Sequence, residues 1–435
     1  MLLSFSVTNY RSVKKKVTLN MLPVKSFKEL PNNIAAIGNK TLVLRSAVIY
    51  GANASGKSNV LKALTGFIEL ISKSSTNQLN DKLKIYDPFL LDKTSSTKPS
   101  EFELEFLISG IRHIYSVSFD ANKIYNERLV YYPKGQSVRI FERTGTTNFR
   151  YGTVLKGEKK SIEKRLLANQ LYLSKAANEN LDILIEIYNY FIKFNNTYDF
   201  LSYLAGQLYT GTILGSMLKE NGKKYFEVFQ KIITSFDVGI HSLKIIKSKN
   251  KTISGLFPEE ASELINFSYF NDYPKLEYEL VSIHKVHNEE NGEEEFMEFS
   301  LERESAGTKN LFLLSFALLD SFKNGTVLII DEFEKSLHPQ IVRKLIRLFH
   351  DPEVNVNNAQ LIFSTHAVSL LDNELFRRDQ IWFTEKDEAG VTDLYSLSQI
   401  EGVRREIPYD KWYQSGRFGA TPIISEPDIN YYNEI

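Results

Sequence analysis

The chain of 435 residues contains no cysteine. That excludes disulfides, thiolate nucleophiles and zinc–thiolate sites, and it fits a reducing, cytoplasmic setting. Net charge is also absent, because Lys plus Arg and Asp plus Glu each number 53. A globally basic surface, the simplest mark of a nucleic-acid binder, is therefore missing, and only a local patch can serve. No stretch approaches the ~18 uninterrupted apolar residues of a membrane helix, so no membrane span is expected. The opening MLLSFSVTNYRSVKKKV lacks a charged segment followed by a long apolar one, so no signal peptide is expected either. Internal repeats, histidine clusters with metal-ligand spacing and sustained heptads are missing as well.

What remains is a chain that is 43% apolar, enough for a sizeable core, and long for one compact domain. LLSFSVTNY alternates apolar and polar residues and reads as a strand. Val43 to Tyr50 is an apolar run, expected as a buried strand of a parallel sheet. From Glu101 to Phe141, four strand-like pieces separated by turn residues read as an antiparallel meander. Ser161 to about Phe236 is mostly helical, and the acidic run EENGEEE reads as an exposed turn. From Glu298 onward helices and strands alternate, the pattern of a parallel α/β sheet.

One motif carries chemistry without a departure. Gly51-Ala52-Asn53-Ala54-Ser55-Gly56-Lys57-Ser58 fits G-x-x-x-x-G-K-[ST], with an apolar strand before it and helical spacing from Asn59 after it. The glycines let backbone N–H groups turn inward onto phosphate oxygens. The following helix presents its positive N-terminal end to the same anion. Lys57 is the mobile cation for β- and γ-phosphates, and the Ser58 hydroxyl is a ligand for Mg²⁺. The plain alternative, a Gly/Ser turn, does not require this flanking context.

Three further elements follow. TVLIIDEFEKSLHP ends an apolar run in Asp331-Glu332. Asp331 can hold Mg²⁺ and Glu332 can polarise an attacking water. Alone the pair reads more readily as a loop or helix cap, and the phosphate loop in the same chain is what favours the chemical reading. Glu304-Ser305-Ala306-Gly307-Thr308 precedes a helix expected near Lys309, either as a second anion site or as an ordinary N-cap. LIFSTHAVSLL ends a strand in Ser364-Thr365-His366, where a lone histidine is more often structural than catalytic.

Read in order, GANASGKS, ESAGTK, LIIDEFEKSLHP and STH resemble the motif set of ABC-type ATPase heads. These include the RecF, structural-maintenance-of-chromosomes and overcoming-lysogenization-defect ATPases. The resemblance implies an α/β fold of the P-loop NTPase class, an ABC-ATPase-type head with an antiparallel β subdomain and a helical insertion. It implies a Walker A loop at Gly51 to Ser58, with Asn59 beside it. It also implies a signature motif at Ser305-Ala306-Gly307, Asp331 as Walker B and Glu332 as the base. Ser336 to Pro339 would form the D-loop, His366 would be the switch histidine, and Arg11 of NYRSV would approach the nucleotide. ATP and Mg²⁺ are the implied cofactors.

The blocks YDPFLLD, FELEF, ESAGTKNL, DEFEKSLHP, RRDQIWFTEKD and YQSGRFGATP resemble more narrowly the RloA-type ATPases, related to the ATPase subunit of the PARIS anti-phage system. Members commonly sit beside a small effector or nuclease. In such heads the signature loop caps ATP on a second subunit, which implies a homodimer or higher oligomer with ATP sandwiched between heads. A glutamine loop is expected after the first helix. The segment offers Gln78, then Asp87 as a substitute. No terminal acidic cluster resembles the Toprim nuclease of overcoming-lysogenization-defect proteins, so no nuclease activity is expected here.

The expected organisation is an N-terminal lobe over 1–150, a mainly helical insertion over 151–296 for partner docking or sensing, and a C-terminal lobe over 297–435. Lys134 to Arg165 carries nine Lys/Arg against three Asp/Glu, a patch that reads as a nucleic-acid contact or as a solvated hairpin. Three functions stay open: a defence ATPase switch with a separate effector, a RecF-like DNA-repair ATPase, and a non-hydrolysing scaffold for a toxin.

Overall fold

The computed structural model describes residues 1–38, 41–196, 212–236, 239–247, 278–287 and 294–422. Most of the expected acidic turn and the end of a short basic run KIIKSKNK lie outside these residues. The chain divides into two compact units, Met1–Ile192 with Ile362–Ile435, and Lys193–Leu361.

The first unit opens with β1 (Leu2–Thr8), β2 (Val17–Asn20), β3 (Ile34–Ile37), β4 (Thr41–Leu44) and β5 (Ser46–Gly51), followed by helix α1 (Lys57–Lys73). Then come β6 (Ser100–Ile108), β7 (Ile111–Phe119), β8 (Ile124–Tyr132), β9 (Val138–Thr144) and β10 (Asn148–Tyr151), and helices α2 (Lys159–Arg165), α3 (Tyr172–Asn178) and α4 (Asp182–Ile192). The second unit holds β11 (Asn195–Asn196), α5 (Thr212–Leu218), α6 (Glu220–Phe236), β12 (Ser242–Lys247), β13 (Tyr278–His287), β14 (Glu294–Ser300), α7 (Ala306–Asn324), β15 (Val327–Ile330) and α8 (Pro339–His350). Strand β16 (Gln360–Ser364) carries the chain back into the first unit, which ends with β17 (Ile381–Lys386), β18 (Thr392–Ser396) and α9 (Tyr409–Gln414).

The meander is an antiparallel sheet in the order β10-β9-β8-β7-β6-β1-β2. The four expected strands are its centre, and β1 extends it by pairing with β6, Phe5 opposite Leu104. Alternation on β6, whose Phe102, Leu104 and Phe106 are buried, places one apolar face against α1. There Phe67 stacks on Tyr115 at 5.8 Å and meets Phe102 edge-on at 5.4 Å. Burying a ring of this size contributes roughly 1.5–3 kcal/mol. The helix that follows the phosphate loop is thus fixed from below.

The expected strand Val43 to Tyr50 is two strands. Arg45 interrupts it, donating its N–H to the Asn33 carbonyl. Before the break β4 pairs antiparallel with β3, and after it β5 pairs parallel with β17. Every residue of β5 is buried, as expected for a strand covered on both faces.

The first unit runs on past residue 150 to Ile192. Residues 151–192 belong to the first unit because a buried pair binds them to the meander. Glu127 of β8 accepts from the N–H groups of Tyr172 and Leu173 at 2.7 and 2.9 Å, and from the Tyr115 hydroxyl at 2.9 Å. Arg143 of β9 lies 3.6 Å from Glu127 and donates to the Gln170 carbonyl at 2.7 Å. Both side chains are fully buried, and burial pushes the Glu127 carboxyl up and the Arg143 guanidinium down, each partly countered by the other. The insertion that belongs to the second unit is not purely helical. It carries the antiparallel sheet β12-β13-β14.

Removing Glu127 strands a buried cation. Glu127→Ala is expected to destabilise the first unit by about 3–5 kcal/mol, read as a lowered denaturant midpoint. An exposed change such as Glu101→Ala should move the midpoint little.

Candidate functional site

The phosphate loop joins β5 to α1 as its residue types require. Ala54 has φ 61° and Gly56 φ 114°, so the loop turns through left-handed backbone twice within three residues. A Cβ on Gly56 would lie 2.9 Å from Thr392 Cβ, so the position has neither the conformational freedom nor the space for a side chain. Asn53 and Ala54 are exposed at the tip, whereas Ser55, Gly56 and Lys57 are buried. Lys57 Nζ donates to the carbonyls of Gly51 at 2.9 Å and Ala52 at 3.1 Å. Its charge is held across the mouth of the loop. Gly56 is the N-cap of a 17-residue helix and supplies no side-chain capping bond. A cation, a hydroxyl at Ser58 and an uncapped helix N-terminus form a donor set suited to a magnesium–triphosphate.

The loop is braced by residues that sequence reasoning missed. Ser55 Oγ bonds Thr384 Oγ1 at 2.7 Å. Thr392 Oγ1 donates to the Ser55 carbonyl at 2.8 Å and also lies 2.8 Å from Ser12 Oγ. Asn59 Nδ2 donates to Ser12 Oγ at 2.7 Å, so the Asn59 amide is engaged in bracing. The Thr392 N–H donates to the Ser12 carbonyl at 2.8 Å. Thr384 and Thr392 sit on the hairpin β17–β18, more than 300 residues from the loop. The signal available in the sequence was the pair of buried-strand threonines within WFTEKDEAGVTDLY, and nothing in it names their partner.

Arg11 sits next to Ser12 with φ 50°. Its Nε meets Asp87 Oδ2 at 2.9 Å and its N–H donates to the Asp87 carbonyl at 2.6 Å. Asp87, the candidate for the missing glutamine, therefore holds Arg11. Gln78 is exposed and turns its amide back to the Thr76 carbonyl at 3.3 Å. His366 is exposed just beyond β16, where the Thr365 N–H donates to the Ile49 carbonyl of β5 at 3.2 Å. It therefore lies at the end of β5 from which the phosphate loop departs.

The other candidates lie in the second unit. Strand β15 is wholly buried and delivers a half-buried Asp331, then an exposed Glu332 at φ 52°. Helix α7 begins at Ala306, earlier than the spacing suggested, with exposed Ser305 as its N-cap. Ser305 Oγ accepts from the Thr308 N–H at 3.1 Å. A Cβ on Gly307 would lie 2.6 Å from the Ser336 carbonyl, so Gly307 rests directly on the Ser336 backbone. Asn310 Nδ2 donates to the Lys335 carbonyl at 2.8 Å and fastens the same two segments. His338 caps α8, its Nδ1 accepting from the Gln340 N–H at 3.2 Å. The start of α7 and the segment Lys335–Ser336 are thus fastened together within this unit.

The basic patch is less free than its composition suggests. Arg143 is buried, Arg139 pairs with Glu142 at 3.1 Å, and Arg165 pairs with Glu179. Among the described residues no helix is long and apolar enough to cross a membrane.

Strand, phosphate loop and helix, with an antiparallel sheet in the same unit and a carboxylate-ended strand in the second, define a P-loop NTPase. The family described as "AAA domain, putative AbiEii toxin, Type IV TA system" matches residues 46–372, about three quarters of the chain. The chain belongs to this family. Among solved structures it is similar to the SMC head domain from Thermotoga maritima, at 15% identity over 91% of this chain and 98% of that one, with a TM-score of 0.36. It is also similar to an SMC head with an extended coiled coil bound to the C-terminal domain of ScpA, from Pyrococcus furiosus. That match has 14% identity, 91% and 96% coverage and a TM-score of 0.37. No curated protein matches.

Thr392→Val removes the hydroxyl that joins Ser55 to Ser12. We expect a several-fold loss of affinity for a fluorescent ATP analogue, on the scale of one or two hydrogen bonds at about 1 kcal/mol each, with the fold retained.

Proposed function

We propose that this chain is an ATP-hydrolysing switch whose heads dimerise around two ATP molecules, and that it acts in bacterial anti-phage defence beside a separate effector protein. The observation that carries the dimer is the exposed Ser305 cap on α7, locked to the D-loop through Gly307 and Ser336. A serine hydroxyl at a helix N-terminus is a second anion site distinct from the phosphate loop. The resemblance to ABC-type heads gives it a role, capping the γ-phosphate held by the other subunit.

In this reading Lys57 exchanges the Gly51 and Ala52 carbonyls for β- and γ-phosphate oxygens. Glu332 accepts the proton of the attacking water, and its exposure beyond a buried strand leaves it accessible to that water. His366 contacts the γ-phosphate. Mg²⁺, when bound, would neutralise phosphate charge; Ser58 would hold it from the phosphate loop, and the resemblance to ABC-type heads assigns Asp331 to it as well. Loss of the γ-phosphate removes the charge-assisted bonds to the partner's Ser305, so the dimer loosens. The toxin–antitoxin wording of the family description and the RloA-like blocks support a defence role. The pairing of Arg139, Arg143 and Arg165 disfavours the DNA-loading alternative.

Glu332→Gln is expected to accumulate an ATP-filled dimer, visible by light scattering. Lys57→Ala is expected to bind no nucleotide and to stay monomeric. A Glu332→Gln protein that remains monomeric at saturating ATP would overturn the switch.

A further inference from the structure

Glu304, the residue before the signature serine, is gripped by the insertion sheet. Its Oε1 lies 2.8 Å from His284 Nε2 and accepts from the Ser282 hydroxyl. His284 Nε2 is also 3.2 Å from Ser282 Oγ. Both partners come from β13, the central strand of β12-β13-β14. Ser282 is fully buried, and the His284 ring is packed on Phe299 of β14 with centroids 4.6 Å apart. A buried serine turned onto a carboxylate is not placed to attack a substrate, so the cluster is not a hydrolytic triad.

The same insertion holds the body of the signature helix. Phe229 of α6 stacks on Phe316 of α7 at 4.0 Å and meets Phe312 at 5.8 Å. Helix α6 is in turn tied to the sheet, because Gln230 Oε1 accepts from the Leu243 N–H of β12 at 3.0 Å. Sheet, helix α6 and signature helix are therefore one mechanically connected set. The charged bonds to Glu304 act at the point nearest Ser305.

We infer that His284 and Ser282 are positioning residues for the signature loop, through which the insertion sheet sets the placement of Ser305 and hence the strength of ATP-driven dimerisation. This rests on the proposal that Ser305 caps the partner's ATP. The sheet holds Glu304, Glu304 fixes the entry into α7, and α7 presents Ser305 at its first turn. A displacement of β13 reaches the dimer seam without passing through the phosphate loop.

The test uses the full chain carrying Glu332→Gln, with Ser305→Arg as a reference. His284→Ala should weaken the ATP-dependent dimer about tenfold or more, the scale of one hydrogen bond to a charged group. The same change should leave the affinity of the monomer for a fluorescent ATP analogue unchanged, since the phosphate loop is untouched. His284→Gln, which restores an N–H donor, should recover most of the loss. In the otherwise native chain His284→Ala should lower kcat with little change in KM. If Ser305→Arg abolishes the dimer while His284→Ala and Ser282→Ala leave it at full strength, the positioning role is wrong and the capping role of Ser305 stands. If Ser305→Arg itself leaves the dimer intact, the capping role is wrong and this inference falls with it. Loss of monomer ATP affinity in parallel with dimerisation, or misfolding of both the His284 and Ser282 variants, would show a structural role only.

Discussion

The structure depends on how one loop is kept open. A phosphate loop is a run of backbone N–H groups forced to face one way, and left alone it would collapse onto its own carbonyls. Here Lys57 spans the mouth by donating to Gly51 and Ala52, while Ser12, Thr384 and Thr392 hold the outer side through Ser55 and Asn59. The braces come from both ends of the sequence. The shape that binds an anion is therefore a property of the first unit as a whole. Each bond contributes only about 1 kcal/mol, but all bear on the same nine residues, Gly51 to Asn59.

The C-terminal blocks find their physical meaning in this support. Tyr413 and Phe418 pack against Phe383 at 5.5 and 5.7 Å, and Tyr50, the last large side chain before the loop, meets Tyr413 at 5.9 Å. Arg377 is buried against Asp379, whose Oδ2 also accepts from the Val24 N–H. These contacts seat β17, and β17 carries Thr384 to Ser55. The blocks RRDQIWFTEKD and YQSGRFGATP thus act on the phosphate loop.

Much of this was legible in the sequence. The phosphate motif, the carboxylate-ended strand and the meander were readable because local residue type dictates each of them: glycine for left-handed backbone, buried β-branched runs for strands, alternation for a one-sided sheet. The family matched over residues 46–372 agrees with the class these motifs implied. Arg45 was not legible as a strand breaker, since its effect comes from a hydrogen bond to Asn33. The continuation of the first unit past residue 150 was not legible for the same reason. Glu127 and Arg143 look like ordinary surface charges of a basic hairpin, and only the fold buries them together. Thr384, Thr392 and His284 act through partners that no spacing rule connects.

The central claim is that each ATP site is completed by a second copy of the chain, and mixing two inactive proteins tests it most directly. Lys57→Ala destroys the phosphate loop and Ser305→Arg destroys the signature, and each alone should be inactive. In a mixed dimer one site combines an intact Lys57 from one chain with an intact Ser305 from the other. The expected result is ATPase activity that appears only on mixing. Continued silence of the mixture, or full activity of the Ser305→Arg protein by itself, would contradict the account.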